Sequence, residues 1–173
     1  LYTGIDGFCA ELSARDTILI DPGSCSWHLY QMLVKVRIKE GEHLIRQQKA
    51  IKNHAEIYHF KSAMRKDSVA LLRAFRWLEA SLAAGEQPSE YDFAQKIAAC
   101  RAEQTDYVSE SFPAIIGYQG NGAIIHYRPP QTGSARIKPE GILLVDCGAQ
   151  YRDGTTDITR TIALSEPTAQ QRL

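Results

Sequence analysis

The sequence has little of what would classify it at a glance. Its four cysteines, Cys9, Cys25, Cys100 and Cys147, form no CxxC pair and follow no regular spacing. Scattered reduced thiols fit that pattern better than a disulfide framework or a structural zinc site. Net charge is absent, since twenty basic residues balance twenty acidic ones and no block of like charge stands out. Nothing therefore favours nucleic acid or an anionic membrane surface as a partner. Long hydrophobic runs are missing too, and no basic segment leads into an apolar one at the N-terminus, so neither a membrane span nor a targeting signal is visible. The compartment is read as reducing and cytoplasmic.

Several common chemical signatures are also lacking. There is no GxSxG elbow and no P-loop, which removes the commonest serine hydrolase and phosphoryl-transfer readings. "GYQGNG", with Gly117, Gly120 and Gly122, runs G-x-x-G-x-G with no helix to follow, so the dinucleotide fingerprint fails and a flexible turn entering a strand is expected. HExxH and HxH are absent. His54 and His59 lie five apart, off the spacing that would bring both to one metal, and His28 and His43 have no partner at ligand spacing.

What is present suits one ordinary globular domain: 173 residues, 44% of them hydrophobic. "LYTGIDGFCAELSARDTILIDPGSCSWHLYQML" reads as a short helix, the β-branched run "TILID" stopped by Pro22 and Gly23, and a further helix, an αβα piece of a sheet domain. The polar stretch "KEGEHLIRQQKA" suggests a domain boundary. Beyond it, Ile57, Phe60, Met64, Leu71, Phe75, Leu78 and Leu82 recur at helical spacing, with Asn53 as N-cap and Gly85 as stop. "PSEYDFAQKIAACRAEQ" predicts a second helix capped by Ser89, with Asp92 at its third position and Phe93 and Ile97 on one face. Trp77 beside Arg73 and Arg76 is read as core packing next to a solvated face. After Thr105 the pattern turns to β-branched and aromatic runs, so two helices precede an antiparallel sheet, an α+β order without internal repeats. The first residue is Leu, and Ser165, Glu166 and Pro167 read as a helix start near the end. The stretch is expected to be a piece of a longer protein.

The sharpest chemical signal is "DCGAQYRDGTTDITRT", where Asp146 and Asp157 stand ten residues apart with a turn-forming run between them. If "ILLVDCGAQY" and "TTDITRTIAL" are the arms of a hairpin turning between Tyr151 and Arg152, Asp146 falls opposite Asp157. Like charges directly opposed are destabilising unless neutralised, and a divalent cation, or a pair sharing a bridging carboxylate, is the usual remedy. Spacing alone leaves open that the aspartates are turn or surface residues, and a one-residue bulge would spoil the register. His126, at the end of the apolar run "NGAIIHYRP", is expected on a strand that delivers it to a sheet edge or cleft. On chemistry alone a lone histidine there is more often structural than catalytic.

"SFPAIIGYQGNGAIIHYRP" followed by "LLVDCGAQYRDGTTDITRT" resembles the aminopeptidase P (Xaa-Pro aminopeptidase) branch of the pita-bread metallopeptidases. "KAIKNHAEIYHFKSAMRKDSVALLRAFRWLE" is similar to the linker and first helix of their catalytic domain. The resemblance implies an α+β pita-bread fold, with residues 1–45 ending a non-catalytic α/β lobe and 46–173 forming the first half of the catalytic domain. It implies that Asp146 and Asp157 are metal ligands, the latter bridging two divalent ions, Mn2+ in first place with Zn2+ or Co2+ as alternatives. One His and two Glu would complete the set from beyond residue 173. His126 is implied to line the substrate site and handle protons at the scissile bond.

The implied activity is hydrolysis of the N-terminal Xaa-Pro bond of proline-containing peptides by a metal-bound hydroxide. Xaa-Pro dipeptidases, methionine aminopeptidases and non-catalytic pita-bread binding modules are the alternatives, and a homodimer is implied by analogy. Cys147 stands where many relatives would carry a small residue such as Ser. A thiol beside a metal ligand is expected to be a point of oxidation or inhibition.

Overall fold

A computed structural model describes residues 4–172. It divides into two compact units, one through Asn53 and one from His54 onward.

In the first unit, helices α1 (Ile5–Glu11), α2 (Trp27–Met32) and α3 (Leu44–Ala50) accompany strands β1 (Thr17–Ile20) and β2 (Arg37–Glu40). The strands pair in parallel from Thr17 opposite Arg37 to Ile20 opposite Glu40. Cys9, Ile20 and Leu33 are buried together, with Leu12, Ile18, Leu29, Val36 and Ile38 packed around them. The β1 strand is the "TILI" run expected from its β-branched residues, and the helices on either side are also found. The parallel partner β2 and helix α3 lie within the stretch "RIKEGEHLIRQQKA", whose charge hid them.

The second unit opens with α4 (His54–Ala83) and α5 (Glu90–Ala102), followed by β3 (Tyr107–Tyr118), β4 (Ile142–Tyr151), β5 (Gly154–Thr155) and β6 (Ile158–Ala163). This is the α+β order the sequence predicts. The α4 helix ends where Gly85 N–H donates to the Leu82 carbonyl and Glu86 N–H to that of Ser81. At the start of α5, the Ser89 hydroxyl accepts from Asp92 N–H at 3.1 Å and the Asp92 carboxylate from Ser89 N–H at 2.9 Å, a reciprocal cap.

The face that α4 buries matches the expected one at Leu71, Phe75, Leu78 and Leu82 and differs from it in the first turns. Ala63, Asp67, Ala70, Leu71, Ala74, Leu78 and Ser81 are buried, whereas Ile57, Phe60 and Met64 are 37–40% exposed. Small side chains at i, i+3 and i+4 let the helix backbone approach the sheet closely. The large residues of its first turns lie beside that stripe. Trp77 packs against the core as expected, its ring stacked 6.5 Å from Phe93 with the Lys96 ammonium 5.7 Å from its centroid.

Strand β4 is central, antiparallel to β3 on one side and to β5 and β6 on the other. Its odd-numbered residues, from Leu143 to Tyr151, are buried. With Ile116, Tyr118 and Ile158, the residues Leu143, Val145 and Cys147 meet Leu78, Phe93 and Ile97 of the helices, whereas Ala149 and Tyr151 pack with Ala63 of α4. Even-numbered residues such as Asp146 therefore point to the opposite, open face.

Candidate functional site

The open face of β4 presents Asp146, half-buried, with the Thr159 hydroxyl donating to its Oδ1 at 2.9 Å. The residue opposite Asp146 is this same Thr159, and not Asp157 as the sequence reading expects. The hairpin closes at Tyr151 opposite Gly154, so its turn is Arg152–Asp153. Three tertiary contacts hold the turn one residue later than expected. Lys66 and Ser62 of α4 both donate to Asp153 Oδ2 at 2.7 Å, and the Phe60 ring lies 3.3 Å from where a Cβ on Gly154 would sit.

Asp157 then lies diagonal to Asp146 on the same face, just before β6 begins. The ladder lapses at Thr156 and Asp157, where Thr156 N–H still donates to the Ala149 carbonyl at 2.8 Å and the Thr156 side chain turns inward. Gly148 makes this possible, because a Cβ there would sit 2.1 Å from the Thr156 carbonyl oxygen. The correction of register thus leaves the two carboxylates as neighbours on one face.

His126 reaches the same place by a different route from the one expected. Strand β3 stops at Tyr118, a 3-10 turn spans Gln119–Ala123, and Ile124–His126 belong to no strand. Gly117 and Gly122 allow the chain to double back, since a Cβ on Gly117 would lie 2.6 Å from Gly122 Cα. "GYQGNG" therefore leaves a strand and does not enter one. His126 sits at φ 56°, in the left-handed region.

His126, Asp146 and Asp157 line one open groove of about 420 Å³, with Phe112, Pro113, Ile115 and Arg128. Among the described residues neither aspartate forms an ion pair with a cationic side chain. No group of three or more His, Cys, Asp or Glu among the described residues converges to hold a metal. Two unneutralised carboxylates are hard oxygen donors that suit a divalent cation. They supply part of a coordination shell and need further ligands, and His126 stands outside any three-ligand cluster with them.

Behind the carboxylates lies a buried polar network that sequence reading missed. Arg101, fully buried, donates from Nε and Nη2 to the two Asp67 oxygens at 2.6 and 3.1 Å, and from Nη1 to Glu110 at 2.6 Å and the Gly148 carbonyl at 3.1 Å. Tyr151 and Thr156 hydroxyls donate to Asp67 at 3.2 and 2.6 Å, and Ala149 N–H donates to Thr156 Oγ1 at 2.9 Å. The network grips β4 and the segment before β6 directly behind Asp146 and Asp157. Its signal was available: Asp67 interrupts an alanine stripe at helical spacing, and Arg101 follows Phe93 and Ile97 at i+8 and i+4. Arg128, within the run "NGAIIHYRP", also lines the groove, a placement that its sequence context does not signal.

Cys147 belongs to this rear face. It is fully buried, Arg101 Nη2 lies 3.3 Å from its sulfur, and burial pushes its thiol up to about 11. The expectation of an oxidation point beside Asp146 fails, because neighbours along a strand point to opposite faces.

Comparison with known proteins gives this groove a context. Xaa-Pro aminopeptidase 1 of Dictyostelium discoideum is 43% identical over 157 residues, 89% of this chain and 25% of the relative. Aminopeptidase P2 of Arabidopsis thaliana is 42% identical over 124 residues, 72% of this chain and 18% of the relative. The chain thus spans a quarter or less of the length of these relatives. Among solved structures, X-prolyl aminopeptidase from Caenorhabditis elegans, described as a cytosolic enzyme with a di-nuclear active site, superposes with a TM-score of 0.87 at 27% identity. That match covers 98% of this chain and 29% of the other. A prolidase from Thermococcus sibiricus shares the fold, with a TM-score of 0.70 at 24% identity over 99% of this chain and 45% of its own. The fold is that of the pita-bread peptidases. Metallopeptidase family M24 matches residues 58–173, all but the opening turn of the unit that carries the groove, and the chain belongs to that family.

Proposed function

We propose that the protein carrying this chain is a metal-dependent aminopeptidase that removes the N-terminal residue from peptides whose second residue is proline. The observation that carries this reading is the convergence of Asp146, Asp157 and His126 on one groove. Similarity to proteins named Xaa-Pro aminopeptidase supports it.

Asp146 and Asp157 would hold two divalent cations, manganese in first place, with one histidine and two glutamates from outside residues 1–173. When bound, such a pair supplies Lewis acidity and a nucleophile at neutral pH. The chain's own residues do the rest. Thr159 fixes the Asp146 carboxylate by its hydrogen bond. Phe112, Pro113 and Ile115 offer the groove an apolar wall suited to a proline ring. His126 would stabilise either the oxygen that gains charge as the Xaa-Pro carbonyl is attacked or the departing proline nitrogen. Residues 1–45, within the unit through Asn53, are assigned to the end of a non-catalytic lobe, and a cytoplasmic homodimer is part of the same proposal.

Incubating the intact protein with an Xaa-Pro-Yaa tripeptide and manganese, then weighing the products by mass spectrometry, tests the reading. Release of the free N-terminal residue, abolished by chelator, is the expected result. Cleavage of Xaa-Pro dipeptides alone would make it a dipeptidase. Asp157→Ala should lose far more activity than the roughly 10–100-fold that removing a supporting partner costs. Turnover near wild type in Asp157→Ala would overturn the assignment.

A further inference from the structure

Glu90, the first residue of α5, is fully buried, yet the peptidase chemistry has no use for it. Among the described residues its carboxylate meets no cation, and each of its hydrogen-bond donors is neutral. Oε1 accepts from Tyr118 N–H at 2.7 Å and from Asn121 Nδ2 at 3.0 Å, which also lies 3.2 Å from Oε2. Oε2 accepts from the Tyr127 hydroxyl at 2.8 Å and from Ala135 N–H at 3.1 Å. A buried carboxylate without a counter-ion is costly and persists only where donors and a helix N-terminus compensate it, as they do here.

Three of these four donors, all but Ala135 N–H, belong to one segment. Tyr118 ends β3, Asn121 lies in the 3-10 turn, Tyr127 directly follows His126, and Asn121 Nδ2 also contacts the Tyr127 hydroxyl at 3.1 Å. One carboxylate therefore ties both stems of the segment that carries His126. The tip between them has no core to hold it, since Ile124 is 51% and Ile125 85% exposed. His126 nonetheless sits in a left-handed conformation, and Gln119 does too at φ 51°. Such strained residues persist only where their surroundings over-determine them.

We propose that Glu90 is a positioning residue, whose carboxylate clamps Tyr118, Asn121 and Tyr127 and so fixes His126 over the groove. This rests on the peptidase reading for its consequence in turnover but not for the clamp itself. The carboxylate is required because it is acceptor-only. A glutamine of the same shape would turn an amide N–H₂ toward donors.

The test uses the intact, manganese-loaded protein with Glu90→Gln and the milder Tyr127→Phe, which removes one donor and leaves the buried acid in place. Hydrogen exchange read by mass spectrometry should speed up in peptides covering 119–128 and stay unchanged across 143–149 in both variants. Bound manganese should be unchanged, and kcat should fall roughly 10–100-fold with little change in KM. In a His126→Ala background, Glu90→Gln should cost no further activity, because the two residues act as one unit. Unchanged exchange at 119–128, lost manganese, or a full additional loss in the His126→Ala background would each overturn the clamp. If the wild-type protein cleaves no Xaa-Pro peptide, the peptidase reading falls, and the exchange result by itself decides the clamp.

Discussion

The two faces of the sheet around β4 carry opposite kinds of polar chemistry. On the face toward the helices, Asp67, Arg101, Glu110, Tyr151 and Thr156 satisfy one another. No buried side-chain nitrogen or oxygen among the described residues lacks a hydrogen-bond partner. On the open face, Asp146 has the Thr159 hydroxyl, and neither it nor Asp157 has an ion-pair partner among the described residues. One sheet separates an acid neutralised by a bidentate arginine from a pair of acids left bare. Strong polar contacts behind the strands hold geometry, and the absence of such contacts in front leaves charge available to a ligand.

Exchanging stability for activity between the faces would break that comparison. Asp157→Ala should remove turnover while moving stability by no more than about 0.5 kcal/mol, the usual range for a surface change. Arg101→Met should do the reverse to stability and cost about 3–5 kcal/mol, because Asp67 is left buried and unpaired. Thermal unfolding of the intact variants measures both. An Arg101→Met protein that melts with wild type would show that the rear network does not hold the strands. Next in size is Gly148→Ala, whose Cβ meets the Thr156 carbonyl. It should cost about 1–3 kcal/mol as an overpacked site. It should also weaken manganese binding, because relief requires moving the segment that carries Asp157. Unchanged metal affinity alongside lost stability would mean that Asp157 is placed independently of this close approach.

The sequence was legible where a local rule decides the outcome. The caps of α5, the stop of α4 and the helix-then-sheet order follow from residues within a few positions of one another. The sequence singles out the two aspartates and His126, but not the geometry that brings them to one groove. Hairpin register shifted because Lys66, Ser62 and Phe60, some ninety positions away in the chain, fix the turn at Arg152–Asp153. His126 left its expected strand because Glu90 gathers the turn around itself, again a contact across the fold. In the first unit, β2 went unread because "RIKE" carries three charges in four residues and only its pairing with β1 makes it a strand.

The smallest effect concerns an acid that belongs to neither face. Asp92 is half exposed, yet Ser89 N–H first, and then the Ser89 hydroxyl, hold its carboxyl below the usual range. A depressed folded value means that its contribution is present above the unfolded value near 3.8 and is lost as pH falls through the lower folded one. Asp92→Asn should therefore flatten the stability profile only below about pH 4. Ser89→Ala should cost about 1 kcal/mol at neutral pH, and part of that cost should vanish in acid. If Ser89→Ala costs the same at pH 3 as at pH 7, the hydroxyl acts on the helix alone and not through Asp92. A cost that shrinks in acid would instead place Asp92 with Asp67 and Glu90, among the acids whose partners hold structure.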